Sequence, residues 1–200
     1  MGPSPERLDS VCVFCGSSDA ADPALLAAAA ELGRDLAGAD LRLIYGGGGV
    51  GLMGACALAA HEAGGKVLGV IPEFLKDRER RLDVVDTITV TSMHERKQIM
   101  FERSDAFVVL PGGIGTLEEV VELLSWRRLD LHQKPVIFYN PRRFWAPLFA
   151  LFQHTVDEKL TPPSFMQSWI SLERIEDIVP ALVGQPAPTE DAAPAVVRLT

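Results

Sequence analysis

Two short stretches carry the residues best suited to chemistry. Met93-His94-Glu95-Arg96-Lys97 places two cations side by side, and Pro111-Gly112-Gly113-Ile114-Gly115-Thr116-Leu117-Glu118-Glu119 joins a glycine turn to carboxylates that continue at Glu122. A glycine turn between a strand and a helix presents backbone N–H groups to an anion. Arg96 and Glu119 add the two side-chain charges that chemistry on a sugar phosphate requires, so the combination points to a nucleotide. Arg96 and Lys97 also sit in the first turn of their expected helix, where the dipole disfavours cations, and that placement asks for a ligand. A simpler account competes for Glu119. Thr116 and Glu119 have the T-x-x-E spacing of a capping box, and Ser92 and Glu95 repeat it one helix earlier.

The elements that must position these residues are legible as a rhythm. Apolar runs that read as strands recur at 11–15, 41–45, 67–71, 88–90, 106–110 and 136–139. Helix-length stretches lie at about 22–38, 50–63, 93–104 and 116–130, with two more at 143–155 and 173–182. Strands with almost no polar alternation are covered on both faces. The expected fold is therefore α/β: a Rossmann-like open, mainly parallel sheet with helices on both faces. Ligands of such sheets bind beyond the carboxyl ends of the strands. Four turns fall on that rim: Gly16-Ser17-Ser18, Gly46 to Gly49, Pro72-Glu73 and Pro111-Gly112-Gly113. The run Gly49-Val50-Gly51-Leu52-Met53-Gly54 matches G-x-G-x-x-G after a strand, but no acid stands near residue 70 to hold a dinucleotide ribose, and Glu73 comes late. These glycines either let a phosphate or ribose approach or only permit a tight turn and close packing.

Composition narrows the class. The chain has 200 residues, 48% of them hydrophobic, which suffices for one core; 11–184 reads as a single catalytic domain, with 1–10 and 185–200 as loose tails. The net charge of -8, with Lys and Arg gathered at 76–81, 96–103 and 127–134, argues against nucleic acid and for a small anionic ligand. No apolar run reaches the length of a membrane span. Three cysteines and no leader place the chain in the cytoplasm. Cys12 and Cys15 lie in an apolar strand with no second pair, and His94 has no partner at ligand spacing, so no metal is expected, nor any cofactor. Phe144, Trp145, Phe149 and Phe152 form a helical stripe that reads as core. Trp126, Arg127 and Arg128 read as solvent or subunit contacts.

Taken together, the glycine run 46–54, Ser92 to Lys97 and P-G-G-x-G-T-x-x-E at 111–119 resemble the Lonely Guy family, also called lysine-decarboxylase-like. The resemblance runs from about Val11 to Ile178. It implies a phosphoribohydrolase that cleaves the N-glycosidic bond of a cytokinin riboside 5'-monophosphate, or of AMP, into free base and ribose 5-phosphate. It also implies a homodimer with active sites built from both subunits. Residue by residue, it assigns catalysis to Arg96 and Glu119, phosphate binding to Gly112, Gly113, Gly115 and Thr116, and substrate contacts to Lys97, Ser125 and Glu79. Gly16, Ser17, Gly48, Gly49, Met53, Glu118 and Glu122 are further candidates. In this reading Glu119 stabilises the sugar cation or orients water; an alternative gives it the ribose hydroxyls and gives the water to Glu79 or another acid. Arginine keeps its proton, so the proton for the base must come from elsewhere. The competing reading is a noncatalytic nucleotide or molybdenum-cofactor carrier. Nothing marks a pyridoxal phosphate site, so no decarboxylase activity is implied.

Overall fold

The computed structural model describes residues 8–184. Seven parallel strands form one sheet in the order β4-β3-β2-β1-β5-β6-β7. The strands are β1 (Ser10–Phe14), β2 (Arg42–Tyr45), β3 (Val67–Pro72), β4 (Asp86–Val90), β5 (Ala106–Val109), β6 (Val136–Tyr139) and β7 (Ile170–Leu172). The main helices are α1 (Pro23–Gly38), α2 (Gly51–Glu62), α3 (Met93–Glu102), α4 (Ile114–Arg128), α5 (Ala146–Asp157) and α6 (Ile178–Val183). The expected Rossmann-like architecture is thus present.

Alternation within β1 shows why a continuous apolar run was needed. Val11 and Val13 face a core shared with α1, α2 and α6, whereas Cys12 and Phe14 face a second core shared with α3 and α4. Both faces are dry, so neither tolerates a polar residue. The same alternation separates the C-x-x-C pair: Cys15 belongs to the first core and Cys12 to the second, so the two cannot act as one chelating or redox pair. Asp22 starts α1 by accepting from the Ala24 N–H at 2.9 Å, with Pro23 next, and alanines plus Gly33 let α1 lie close on α2.

Toward the chain ends the structure departs from the sequence expectation in three ways. Leu8 is buried and β1 begins at Ser10, so residues 8–10 belong to the packed body; the rest of the expected N-terminal tail, and 185–200, lie outside the described residues. Strand β7 was not anticipated, because three residues, two of them exposed, carry no periodic signal. The last helix starts at Ile178 instead of 173, after β7 and a 3₁₀ turn take up the preceding residues.

His132 packs against Phe101 and Phe107, buried, with its Nε2 3.0 Å from the Leu123 carbonyl and its Nδ1 unpartnered. The ring therefore donates from Nε2, and burial pushes its pKa down from 6.5 to about 4. A depressed folded pKa gives stability that is present above the unfolded value and lost as pH falls through the folded one. The Tm of the wild type should therefore fall between pH 6.5 and 4 more steeply than that of His132→Gln; parallel curves for the two proteins would remove this histidine from the acid sensitivity.

Candidate active site

A cleft of about 310 Å³ opens at the carboxyl ends of β1 and β5. The sheet order reverses between these two strands, and crevices form at such switch points because neighbouring connections leave in opposite directions. Of the expected site residues, Gly16, Ser17, Met53, Glu79, Arg96, Gly113, Gly115, Thr116 and Glu119 line it. A larger hollow, about 410 Å³, lies at the opposite rim, where β2, β3 and β4 begin, among Arg42, His61, Lys66, Asp86 and Arg103. Arg103 is the C-cap residue of α3, where a cation complements the helix dipole.

Two helix starts face the cleft region, and they are not equivalent. At α2, the Leu52 and Met53 N–H groups donate to the Gly16 carbonyl at 3.0 and 3.3 Å, and Gly51 N–H donates to Asp19 Oδ1 at 3.3 Å. Gly51, with φ +59, presses on the Ser17–Ser18 peptide, and a Cβ on Gly54 would overlap the Gly49 carbonyl. The G-x-G-x-x-G run therefore serves packing, and its amides are already used. At α4, Gly113 is the N-cap and no side chain caps the helix. The amides of Ile114, Gly115 and Thr116 have no acceptor among the described residues, and all three residues line the cleft. Free amides at a helix start are the arrangement that suits an anion. Gly112 permits the turn, because a Cβ there would overlap Thr116 Oγ1.

Beside this site lies a buried ion pair. Arg96 and Glu119 are 6% and 9% exposed, with Nη1 3.5 Å from Oε1. Arg96 is held by two backbone carbonyls, one within β3 and one just past β2: Nε donates to Val70 O at 3.2 Å and Nη2 to Gly46 O at 3.4 Å. A Cβ at Gly46 would overlap Nη2, so a side chain there would displace the guanidinium. Burial pushes the Glu119 carboxyl up to about 7; Arg96 pulls it back, while Glu118 and Glu79 push further. The capping-box account of Glu119 does not hold. Helix α4 begins at Ile114, two residues before Thr116, so Glu119 faces the cleft from the second turn. Ser92 does cap α3, accepting from the Glu95 N–H at 3.1 Å.

The remaining candidates stand back from the cleft. Lys97 Nζ pairs with Glu118 and, at 2.9 Å, with Glu122, so these three tie α3 to α4. Burial disfavours the ammonium, but the two carboxylates outweigh it and raise its pKa. Ser125 is exposed on α4. Gly48 supports Glu79 and Met53, whose atoms would lie 3.1 and 2.9 Å from a Cβ there, and Gly49 N–H donates to the Glu79 carbonyl at 2.8 Å. Sequence reasoning missed Gly46 as the seat of the arginine, and missed the Asp19–Arg80 ion pair beside it, which joins the β1–α1 turn to the segment bearing Glu79. Only the rim position of Gly46 was legible, because the partner of a turn glycine is fixed by a distant helix.

The parallel sheet, the switch-point cleft and the buried cation–carboxylate pair beside free helix amides define a Rossmann-like protein with a polar cleft of the kind enzymes carry. The family model described as "Possible lysine decarboxylase" matches residues 53–182. Cytokinin riboside 5'-monophosphate phosphoribohydrolase LOG5 of Arabidopsis thaliana is 41% identical over 177 residues, covering 88% of this chain and 78% of the relative. The probable cytokinin riboside 5'-monophosphate phosphoribohydrolase LOGL9 of Oryza sativa subsp. japonica is 43% identical over 182 residues, covering 87% and 80%. Among solved structures, the molybdenum cofactor binding protein of Rippkaea orientalis superposes with a TM-score of 0.65 at 27% identity, covering 88% of this chain and 96% of that one. The molybdenum cofactor carrier protein of Chlamydomonas reinhardtii gives 0.65 at 24%, with the same coverage, and shows the fold. The chain belongs to the Lonely Guy family and is a hydrolase of the phosphoribohydrolase type.

Because the folded pKa of Glu119 is raised, the neutral carboxyl fits the fold better than the charged one, and stability is lost as pH rises through about 7. Glu119→Gln should thus gain in Tm relative to the wild type between pH 5 and pH 8. A constant difference across that range would mean that the carboxylate is accommodated without cost.

Proposed function

We infer that the protein hydrolyses the N-glycosidic bond of a nucleoside 5'-monophosphate, AMP or its N6-modified cytokinin forms, giving free base and ribose 5-phosphate. The observation that carries this reading is the buried Arg96–Glu119 pair next to the open amides of Ile114, Gly115 and Thr116. The amides and the helix dipole hold the 5'-phosphate and so fix the ribose. As C1'–N9 breaks, positive charge grows on the sugar. The Glu119 carboxylate stabilises that charge and orients the attacking water, in a site where low dielectric strengthens the interaction. Arg96 holds Glu119 in place and steadies phosphate or ribose. Lys97 acts through Glu118 and Glu122, keeping α3 and α4 in register so that the pair meets. The names of the relatives agree with this substrate class.

The test is chromatographic release of base and ribose 5-phosphate from AMP and from isopentenyladenosine 5'-monophosphate. Wild type should turn over at least one of them. Glu119→Gln should lose about 10²–10³ in kcat while remaining folded. On the acid side, kcat/KM of the wild type should fall as pH drops below about 7, the region where Glu119 becomes protonated. Saturable nucleotide binding with no base released would transfer the assignment to a carrier of the kind found among the solved structures.

The homodimer belongs to the same reading. Ile114 and Val121 are exposed on α4 at 84% and 46%, with Ser125 one turn beyond Val121, so these residues share an outward stripe. A second copy on this stripe buries the apolar pair and brings Ser125 to the partner's cleft. Sedimentation should show a dimer for the wild type and a monomer with reduced turnover for Val121→Arg. A monomeric wild type of full activity would rule out shared sites.

A further inference from the structure

Hydrolysis of a purine nucleotide needs a proton for the departing base as well as a water for the sugar. Arg96 is a poor source, because a guanidinium does not give up its proton in proteins and its Nε, Nη2 and Nη1 already face Val70 O, Gly46 O and Glu119. Among the residues lining the cleft, the other ionisable groups are Cys15, Glu79 and Glu119. Burial raises the Cys15 thiol well above its usual range, and Glu119 faces Arg96 at 3.5 Å.

Glu79 is placed differently. One of its oxygens, Oε2, is fully buried and has no hydrogen-bond partner among the described residues. A carboxylate left so would be charged without a donor, whereas a carboxylic acid is neutral and has a proton to give. The side chain lies over Gly48, just past β2, with Met53 beside it. In sheet order β1 stands between β2 and β5, so Glu79 and the phosphate-binding start of α4 are separated by two strand spacings, roughly 10 Å. Glu79, Met53, Gly16 and Glu119 line the same cleft as the start of α4, and that span is within reach of a nucleotide whose phosphate sits at α4.

We propose that Glu79 is the general acid that protonates the leaving purine. This rests on the hydrolase reading above and adds a residue for the half of the reaction that reading leaves open. The C1'–N9 electron pair passes to the purine while the Glu79 carboxyl proton moves to a ring nitrogen, so the base leaves neutral. The water oxygen bonds to C1', and the proton it loses goes to Glu119. Afterwards Glu79 is ionised and Glu119 protonated, and exchange with solvent restores both. The charged groups around Glu79 are Arg96 from α3, Arg78 in its own segment and Glu119 from α4; burial raises its pKa against the pull of the two arginines.

Substrates that differ only in their need for that proton make the test. In N7-methyl-AMP the methyl group takes the place of the proton, and the base leaves neutral unaided. Glu79→Gln should cost about 10²-fold in kcat on AMP and no more than a few-fold on N7-methyl-AMP. It should also lose the alkaline limb that the wild type shows on AMP, and this second readout decides the matter if the wild type does not accept the methylated nucleotide. Equal losses on both substrates, or an unchanged alkaline limb, would overturn the assignment and leave Glu79 as a binding residue. Full activity of Glu79→Gln on AMP would overturn it outright. Absence of base release by the wild type from any nucleotide is a separate result, and it would strike the hydrolase reading itself.

Discussion

A guanidinium and a carboxylate buried 3.5 Å apart set the terms for everything around them. Taking two charges out of water costs several kcal/mol per ion, and their attraction repays this only when the remaining polar atoms are satisfied. Here the satisfaction comes from backbone. The carbonyls of Val70, within β3, and of Gly46, just past β2, receive the arginine, and a side chain at residue 46 would displace the guanidinium from them. Glu119 keeps the unfavourable share, with a carboxyl pushed to about 7 by burial. That stored cost accompanies catalytic sites generally, because a group held in its less comfortable state is the one ready to react.

The two glycine-rich turns divide the labour. One helix start spends its amides on the neighbouring turn, fixing β1, α2 and the Ser17–Ser18 loop into a rigid wall. The other keeps its amides free and faces the cleft. Both look like phosphate sites by composition, and only the hydrogen-bond accounting separates them. Lys97 shows a similar division. It sits next to Arg96 in the chain, yet one helical step, about 100°, turns it out of the cleft and onto Glu118 and Glu122 of α4, where it stabilises the frame.

Much of this was legible from local pattern. Strand runs without alternation required a sheet covered on both faces, and six of seven strands followed from them, because burial on both sides leaves a strong local signal. Strand β7 escaped, being a short edge whose existence depends on β6 offering a partner. The T-x-x-E spacing misled on Glu119 because a helix start depends on the turn before it, and the Gly-Gly turn let α4 begin at Ile114.

By itself, the sequence determined which chemical groups exist and their order along the chain: a cation pair, a glycine turn, a carboxylate run and the strands that separate them. Their local spacing is enough to predict elements, since side-chain periodicity and turn chemistry act over a few residues. Tertiary structure alone decided that Gly46 seats Arg96, that Glu79 carries a buried oxygen without a donor among the described residues, and that α4 instead of α2 offers its amides. Each of these is a contact between residues tens of positions apart. Long-range proximity and desolvation create them, and neither leaves a trace in local pattern.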